Sequence, residues 1–419
     1  MTTQAVVPVP VRGRAGRRTV PLVAGAGCAL ALAVALVAVG HTAETLSSPL
    51  EPDTDAWRSV LVAGIAGAFV LYLLGLAFLR RRVVPLAAVA VVAVAIQLAP
   101  LAAPLLLSRD TYVYWDYGRI ATVHHGNPYA DLPDRWPLDP AYARMGADWH
   151  RTYDAYGPAW TLVAEGGARL AGSSAHAEEI FSKVVGGLGA LAMVAAAAFA
   201  APRRHRSFAA GFVGWNPLLA LHFAGGGHND AWMMAFALAA VGLTDRRREL
   251  AGGLAWMGGI AIKWLPLLFL PFELLRLRGG RRRRLIAGLA IGTLIGAALS
   301  SAFFGAEWIR AVIPVSNQLR RSSSISSTYW LAKAGISEHH ATIVLAVLFA
   351  VAYLWLCREA FRGRPRRGLA AGLFCLSLSW LTPWYAAWPL AFAAIEEDLL
   401  AQGLALALSA WLLKDALPV

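Results

Sequence analysis

Long apolar runs alternate with short clusters of arginine along most of the chain. Several of these runs extend for about 20 residues with almost no charge, which is the length that an α-helix needs to cross the hydrocarbon layer of a membrane. The pattern therefore predicts an all-α, polytopic integral membrane protein with about 11–13 transmembrane helices.

The arginine clusters predict how these helices are oriented. Cytoplasmic loops carry an excess of Lys and Arg, so each cluster is expected on the cytoplasmic side. The clusters lie at 12–18, 80–82, 203–206, 246–248, 276–284 and 358–367. On this basis 1–19 is a basic cytoplasmic N-terminal segment, and the polar stretches 108–156 and 305–341 are two outer loops. The predicted location is the cell (plasma) membrane, with these loops on the extracytoplasmic side.

The number of crossings between clusters gives each apolar run a direction. The predicted spans lie at 20–40, 58–79, 83–107, 184–201, 207–224, 229–243, 285–304, 342–357 and 399–416, with two shorter helices that meet at Thr382-Pro383. The piece 157–172 is too short to span and is interpreted as an interfacial or re-entrant helix. The run 250–275 lies between two clusters, so a re-entrant segment or a pair of short helices that turns near Lys263 and Pro266 fits best. All of these belong to one predicted domain, 1–419.

Composition narrows the class of function. The net charge is +13, but the arginines lie between apolar runs, which favours a role in topology over nucleic-acid binding. The three cysteines, Cys28, Cys357 and Cys375, lie in apolar segments and suggest neither a disulfide framework nor a metal site. The sequence has no P-loop, GxGxxG or HExxH motif, and its outer-loop carboxylates show no metal-site spacing. No cofactor and no metal are expected.

The first outer loop begins with SRDTYVYWDYGRIATVHHGNPYADLP (108–133), which is dense in charged and aromatic residues. In a helix Asp110, Tyr114 and Tyr117 share one face, because they are spaced i, i+4 and i+7. A carboxylate framed by aromatic rings at the membrane surface suits removal of a proton from a sugar hydroxyl, and Arg119 suits a phosphate. The alternative is that Asp110 only caps or ends a helix and that the aromatic residues form an interfacial belt.

A second polar group, His228, Asn229 and Asp230, interrupts the apolar pattern at a predicted outer turn, FAGGGHNDAWMM. The glycines can end one helix, and Asn229 or Asp230 can cap the next. Capping does not explain His228, and all three residues face the same predicted compartment as Asp110. The group is therefore a candidate helix junction and a candidate part of the site.

Further candidates are cations and aromatic residues at the predicted outer side. Lys263 lies mid-run in GGIAIKWLPLLFLPF, where a lysine costs at least about 2.5 kcal/mol at a bilayer centre, so it either meets an anion or snorkels to the surface. Arg320 and Arg321 run against the charge bias of an outer loop, which a phosphate ligand or a solvated loop explains. Trp384 and Tyr385 in WLTPWYAAWP form either a sugar platform or part of an aromatic belt.

Taken in order, these motifs resemble a known family. SRDTYVYWDYGRIATVHHGNPY is followed by YGPAW, NPLLALHFAGGGHNDAWM, IKWLPLLFLPF and TPWYAAWPL. The set is similar to the GT-C superfamily of polyprenyl-phosphate-sugar-dependent glycosyltransferases. The nearest likeness is to actinobacterial α-mannosyltransferases that use polyprenyl-phosphate-mannose, which include the α-(1→6)-mannopyranosyltransferases of lipomannan synthesis and glycosyltransferase family 87. Compared with this group, we expect a somewhat short chain without the soluble C-terminal domain of some relatives.

The resemblance implies a GT-C fold with the active site in the long first outer loop, and an inverting, metal-independent transfer. Asp110 matches the position of the family's catalytic base, directly after the hydrophobic helix that precedes this loop. Candidates for the donor phosphate are Lys263, Arg320 and Arg321. The implied substrate-binding residues are Tyr114, Arg119, Asn127, Tyr129, Tyr156, His228, Asn229, Asp230, Trp384 and Tyr385.

The expected function is transfer of a sugar, with mannose preferred, from polyprenyl phosphate to a glycan or glycolipid acceptor in lipoglycan biosynthesis. The expected partners are this donor, the acceptor and membrane lipid, with no nucleic acid. One alternative is a transporter or flippase for a lipid-linked sugar, which the polytopic pattern and Lys263 at depth support. Another keeps the fold and uses arabinofuranose or glucose. The concentration of polar groups on one side favours the enzyme.

Overall fold

The computed structural model describes residues 16–42, 55–312 and 322–414. Regular structure in these ranges consists of α-helices and 3₁₀ turns, with no strand. Five helices in the same ranges are long and apolar enough to cross a membrane, at Thr19–Val39, Trp57–Arg81, Ala175–Ala200, Gly279–Phe304 and Glu338–Phe361. The predicted all-α, polytopic fold class is confirmed.

The helices follow the predicted apolar runs. In chain order they are α1 (Gly16–Thr42), α2 (Asp55–Arg81), α3 (Leu86–Leu98), α4 (Asp110–Thr122), α5 (Pro158–Ala171), α6 (Ala175–Ala200), α7 (Arg206–Gly214), α8 (Pro217–Phe223), α9 (Asp230–Asp245), α10 (Glu249–Ile262), α11 (Leu270–Arg276), α12 (Gly279–Phe304), α13 (Ser327–Lys333), α14 (Glu338–Phe361), α15 (Arg367–Ser377), α16 (Ala387–Ile395) and α17 (Leu399–Leu413). Segment 123–157 connects α4 to α5 with short 3₁₀ turns.

The bundle has two chemically different ends. At one end, here called the basic end, lie the arginine clusters 80–82, 203–206, 246–248, 276–284 and 358–367. Buried ion pairs join helices there, such as Arg367 with Glu273 and Arg281 with Glu249 at 2.5 Å. The opposite end, here called the loop end, carries segment 123–157. Most spanning helices therefore run between an arginine-rich surface and a surface rich in aromatic and acidic residues.

Two predicted spans are interrupted in the structure. The predicted helix 83–107 ends at Leu98 and continues only as a 3₁₀ turn over 99–102, because Pro100 and Pro104 lack the amide that an α-helix needs. The predicted span 207–224 is divided into α7 and α8 at Asn216, whose side chain caps α8. Both corrections arise from proline and capping residues inside apolar runs.

A buried glutamine donates hydrogen bonds to the backbone carbonyls that are left free where α7 ends and α8 begins. The side-chain amide nitrogen of Gln97 donates to the carbonyl oxygens of Gly214 and Asn216, each at 3.1 Å. Carbonyls that lose their helical partner in an apolar bundle need another donor, and Gln97 supplies it from α3. The broken span is therefore fixed in position without a water-exposed backbone.

The predicted pair of short helices in 250–275 is present in the structure. Helix α10 ends at Ile262, a 3₁₀ turn spans Leu265–Leu268, and α11 returns from Leu270 to the basic end at Arg276. The turn lies at Lys263 and Pro266, as the sequence indicates. This geometry places Lys263 at the tip of the pair, away from the basic end.

Helices α10 and α12 are in direct backbone contact through glycine. A Cβ atom on Gly288 would lie 2.1 Å from the carbonyl oxygen of Leu250, and one on Gly253 would lie 2.5 Å from the carbonyl oxygen of Leu285. Small residues allow helices in a membrane to approach this closely, and the packing then replaces a hydrophobic driving force. The contact fixes the short α10 against a helix that crosses the whole bundle.

We expect Gly288→Ala to destabilise the protein by about 1–3 kcal/mol, because the added methyl group must push α10 away from α12. Gly296→Ala on the same helix is the matched control, since a Cβ there has no atom within 4 Å. The control is expected to be neutral or to stabilise by about 0.5–1 kcal/mol through helix propensity. Thermal unfolding of both variants in detergent tests this, and equal midpoints would contradict it.

Candidate active site

Helix α4 begins at Asp110 and presents the predicted polar face. The side-chain oxygen of Ser108 accepts a hydrogen bond from the amide of Asp110 at 3.1 Å, which fixes the start of the helix. The side chain of Asp110 is 16% exposed, whereas Tyr114 and Tyr117 are buried. The predicted sharing of one face is confirmed because all three residues lie within one helix.

The glycine-rich turn after α8 holds His228 beside Asp110. Gly227 has φ +74°, and a Cβ there would lie 2.7 Å from the hydroxyl of Thr111, which donates to the carbonyl oxygen of Gly226 at 3.2 Å. The turn is therefore packed directly on the first turn of α4. Its geometry places Nδ1 of His228 3.6 Å from a carboxylate oxygen of Asp110, just beyond hydrogen-bond distance.

Buried polar atoms without protein partners concentrate at this turn. Both ring nitrogens of His228 and both polar side-chain atoms of Asn229 lack a hydrogen-bond partner among the described residues, and both side chains are fully buried. Leaving a buried polar group unsatisfied costs about 1–3 kcal/mol, so such groups are uncommon in apolar bundles. Asn229 does not cap α9 with its side chain, so capping does not account for it.

Asp230 and Lys263 form a buried ion pair next to this turn. The ammonium of Lys263 donates to both carboxylate oxygens of Asp230 at 3.0 Å, and the indole of Trp388 donates to one of them at 2.8 Å. The ammonium also lies 5.2 Å from the ring centre of Tyr385, within cation–π distance. The pair joins α9, α10 and α16 at the loop end.

Aromatic rings from two regions face the polar cluster. Trp384 stacks on His228 with ring centres 3.7 Å apart, and Tyr385 stacks on Trp388 at 3.9 Å. On the other side, Tyr114 packs edge-to-face against Tyr156 at 4.9 Å. The predicted junction at Thr382-Pro383 thus brings its aromatic residues to the same place as Asp110.

A buried carboxyl holds Tyr156 in place. Asp154 accepts hydrogen bonds from the amide of Tyr156 at 2.9 Å and from the hydroxyl of Thr161 at 2.7 Å. The hydroxyl of Tyr129 lies 2.6 Å from Thr161 Oγ1 and donates to the carbonyl of Tyr156 at 3.0 Å. Burial raises the pKa of Asp154 to about 7, although its two hydrogen bonds oppose this shift. The position of Tyr156 against Tyr114 therefore depends on a carboxyl that titrates near neutral pH.

The structure places other predicted residues away from this cluster. Arg119 lies nine positions after Asp110, on the opposite face of α4, where it pairs with Asp139 at 2.8 Å and donates to the carbonyl of Gly172. Burial alone raises the pKa of Asp139, but hydrogen bonds from Arg119, the Ala141 amide and His124 outweigh this effect and leave the pKa below its usual value. Arg119 thus anchors the loop in this structure.

Asn127 and Tyr129 lie where the loop contacts the end of α12. The side chain of Asn127 donates to the carbonyl oxygen of Phe304 at 2.7 Å, and the ring of Tyr129 packs edge-to-face against Phe304 at 5.2 Å. Tyr129 reaches the main cluster only through Tyr156. Arg320 and Arg321 lie outside the described residues, so their roles remain predictions.

Several residues at the cluster are absent from the candidates drawn from the sequence, including His222, whose ring lies 5.8 Å from that of Trp384, and three others. Trp388 lies four positions after Trp384, Trp160 packs on Tyr114 with ring centres 5.3 Å apart, and Thr111 follows Asp110. The spacing of Trp384 and Trp388 is a helical repeat that could have indicated a shared face. Trp160 and Thr111 carry no comparable signal, since a lone Trp or Thr is common in apolar helices.

Comparison with known proteins gives matches over most of the chain. Residues 22–278 match the family model described as alpha-(1->6)-mannopyranosyltransferase, N-terminal domain, and residues 184–383 match that of glycosyltransferase family 87. Alpha-(1->6)-mannopyranosyltransferase A of Mycobacterium tuberculosis is 28% identical over 338 residues, 70% of this chain and 63% of the relative. The chain thus spans about 63% of that relative's length. No solved structure matches the chain significantly.

These matches confirm the family that the ordered motifs indicate. The first matched range contains Asp110, the turn at His228 to Asp230, and Lys263. The second ends at Pro383, directly before Trp384, which stacks on His228. Most of the polar cluster therefore lies within the matched ranges, and its aromatic residues at 384, 385 and 388 follow directly after them.

We expect Asp154→Asn to change the pH dependence of stability. A carboxyl whose folded pKa is raised from 3.8 to about 7 contributes stability at low pH that is lost as the pH rises through this window. Asparagine keeps the neutral form at every pH, so the midpoint of the variant minus that of the wild type should rise by at least about 2 °C between pH 4 and pH 7. Thermal unfolding in detergent measures it.

The comparison with the wild type is necessary because Asp116 also has a pKa raised to about 7 by burial and by the charge of Asp139. Asp116 is unchanged in the variant, so its contribution cancels in the difference. A difference that stays constant from pH 4 to pH 7 would show that Asp154 is charged throughout this range.

Proposed function

The chain belongs to the alpha-(1->6)-mannopyranosyltransferase family, and we propose that it transfers mannose from a polyprenyl-phosphate donor to a glycan acceptor. The observation that supports this most directly is the grouping of Asp110, Lys263 and the unpartnered polar atoms of 228–229 at one end of the bundle. A transferase of this kind needs a base, a cation for the leaving phosphate, and hydrogen-bonding groups for sugar hydroxyls. The cluster offers one of each kind.

Asp110 is the proposed general base. Its carboxylate takes the proton of an acceptor hydroxyl while the hydroxyl oxygen attacks the anomeric carbon of the donor. The bond between this carbon and the phosphate oxygen breaks, and the electron pair leaves with polyprenyl phosphate. A single displacement of this type inverts the anomeric configuration. His228 lies beside the proposed base, because its ring is 3.6 Å from Asp110 and is held by stacking on Trp384.

Lys263 is the proposed partner of the leaving phosphate. Its ammonium is paired with Asp230, and its side chain is 21% exposed, which would leave part of the lysine within reach of a bound phosphate. Charge that develops on the phosphate in the transition state is stabilised by a cation already fixed in position. Because Asp230 and Trp388 hold the lysine, little reorganisation is needed when the donor binds.

Neutral polar groups and aromatic rings are the proposed sugar contacts. The amide of Asn229 offers a donor and an acceptor, and each ring nitrogen of His228 offers one or the other, which suits hydroxyl groups. The ring of Trp384 is only half-buried, so it is the proposed apolar face for the pyranose, and the buried ring of Tyr385 packs edge-to-face beside it. Binding would then satisfy polar atoms that the protein itself leaves without partners.

The proposed orientation places the basic end in the cytoplasm and the cluster on the extracytoplasmic side of the plasma membrane. Helix α10 has 14 residues and rises about 21 Å, so Lys263 lies below the far boundary of a hydrocarbon layer of about 30 Å. A phosphate tethered to a prenyl chain stays near this boundary. The depth of Lys263 therefore suits a membrane-anchored donor better than a soluble nucleotide sugar.

We expect Asp110→Asn to lower kcat for mannosyl transfer by at least about 100-fold, because asparagine cannot accept the proton of the acceptor. The assay uses the purified full chain, polyprenyl-phosphate-mannose, a mannoside acceptor, and mass spectrometry of the product. Polyprenyl-phosphate-arabinofuranose and polyprenyl-phosphate-glucose are tested in parallel, so that the sugar is identified with the same preparation.

The matched control is Asp134→Asn in the same loop. Asp134 is a surface carboxylate 3.5 Å from Arg151 and does not contact the cluster, so its variant should keep activity within about twofold. An Asp110→Asn protein that transfers mannose at the wild-type rate would exclude Asp110 as the base.

The role of Lys263 is separated from its ion pair by a double variant. We expect Lys263→Met alone to be destabilised, because it leaves the charge of Asp230 buried without a partner. In Lys263→Met/Asp230→Asn the uncompensated charge is removed, so folding should recover while KM for the donor stays raised by at least about tenfold. Asp230→Asn alone leaves Lys263 without its carboxylate and should also be destabilised, but it keeps the cation and should therefore keep the wild-type KM for the donor. A double variant with wild-type kinetics would show that Lys263 serves only to neutralise Asp230.

A further inference from the structure

The basic end holds a cavity of about 450 Å³ where α6, α7 and α9 meet. Its charged lining contains one carboxylate, Asp245, and several arginines. Asp245 is already paired with Arg276 at 2.7 Å, and the lining residue Arg367 is paired with Glu273 and Glu396. These groups therefore neutralise one another and leave the remaining arginines of the cavity uncompensated.

Arg203, Arg206 and Arg246 are the remaining arginines. Within the described part of the chain no carboxylate forms an ion pair with any of them, and Nε of Arg206 is buried without an acceptor. Arg246 donates to the backbone carbonyls of Gly242, at 2.8 Å, and Phe199, which orient it without cancelling its charge. Burial and the charges of Arg206 and Arg203 lower the pKa of Arg246, although the charge of Asp245 opposes this shift. These three arginines thus share a cavity in which the one lining carboxylate, that of Asp245, is already paired with Arg276.

An apolar groove of about 470 Å³ adjoins this cavity, and Arg206 lines both. The groove lies between α3 and α6 with α7 as its floor. Alanines on all three helices open it, at positions 90, 93, 195, 198 and 210. On α6 the groove is lined by Leu191, Ala195 and Ala198, which lie on one face of the helix and form a stripe about 10 Å long. Val94 at its edge is 43% exposed, so the groove is open toward lipid.

We propose that the cavity and the groove together bind one anionic phospholipid, with its phosphate at Arg206 and Arg203 and an acyl chain between α3 and α6. Basic pockets between spanning helices bind anionic lipid head groups, and guanidinium groups form strong paired hydrogen bonds with phosphate. A soluble anion would use the cavity alone, whereas the continuous groove adds a surface that only an alkyl chain would cover. The site lies at the opposite end of the bundle from Asp110 and does not depend on the proposed function.

The test measures binding of phosphatidylglycerol to the purified full chain in neutral detergent by native mass spectrometry. We expect Arg206→Gln to weaken binding by about tenfold, as expected for losing one charge-assisted contact. Arg204→Gln is the matched control, because Arg204 lies two positions away, pairs with Glu397 at 2.7 Å and does not line the cavity. Equal affinities in the two variants would overturn the proposal.

The groove is tested separately with Ala195→Phe, which fills it, and Leu294→Phe, which changes a lipid-exposed position on α12 away from it. We expect Ala195→Phe to weaken phosphatidylglycerol binding by about tenfold and Leu294→Phe to leave it unchanged. Phosphatidylcholine and glycerol phosphate are the ligand controls, and both should bind much more weakly. Glycerol phosphate that binds as well as the lipid, or Ala195→Phe with wild-type affinity, would contradict the acyl-chain site.

Discussion

The arrangement of the loop end depends on the buried ion pair between Asp230 and Lys263. Either charge alone inside an apolar bundle costs about 2.5–3.5 kcal/mol or more, so each residue is tolerated only with the other. The bonds at 3.0 Å join α9 to α10, and Trp388 adds α16. Because Asp230 is the first residue of α9, the pair also fixes the turn that precedes it. His228 and Asn229 are therefore placed by charges that they do not contact.

The long connection between α4 and α5 is held by buried polar anchors. Arg119 with Asp139 fixes one part of it to α4, and Asp154 with Thr161 fixes another to α5. The two helices themselves pack closely, since a Cβ on Gly118 would lie 2.3 Å from a carbonyl oxygen of α5. These anchors explain how a stretch with little regular structure presents Tyr156 to α4 in a defined position.

Local patterns predict much of this molecule. Spacing within one helix places Asp110 and Tyr114 on one face, and the cost of a mid-run lysine is enough to mark Lys263 as a functional or paired residue. Prolines are equally informative, because Pro266 marks the turn between the short helices. The predicted span at 83–107 is too long, because the run is apolar throughout and hydrophobicity alone does not show that Pro100 and Pro104 end the helix.

Pairing between distant residues is what the sequence does not reveal. Asp230 and Lys263 are 33 residues apart, and Asp230 and Trp388 are 158 apart, so no periodicity connects them. In the same way, Arg119 is a reasonable phosphate ligand when only its neighbours in sequence are considered. Those neighbours do not show that its guanidinium will form an ion pair with Asp139, 20 residues later. Sequence patterns identify which side chains are expensive to bury, and only tertiary packing shows how each is satisfied.

Apart from Nε of Arg206, the buried charged groups of the basic end are paired in the described part of the chain, whereas several buried neutral groups at the loop end are not. At the basic end Glu273, Glu249 and Arg367 all have partners of opposite charge. At the loop end the amide of Asn229 and the ring of His228 are buried with no partner in the described protein, at about 1–3 kcal/mol for each unsatisfied group. The folded state tolerates this because the neighbouring ion pair fixes the turn. A ligand rich in hydroxyl groups can recover the same free energy on binding, since each hydroxyl both donates and accepts.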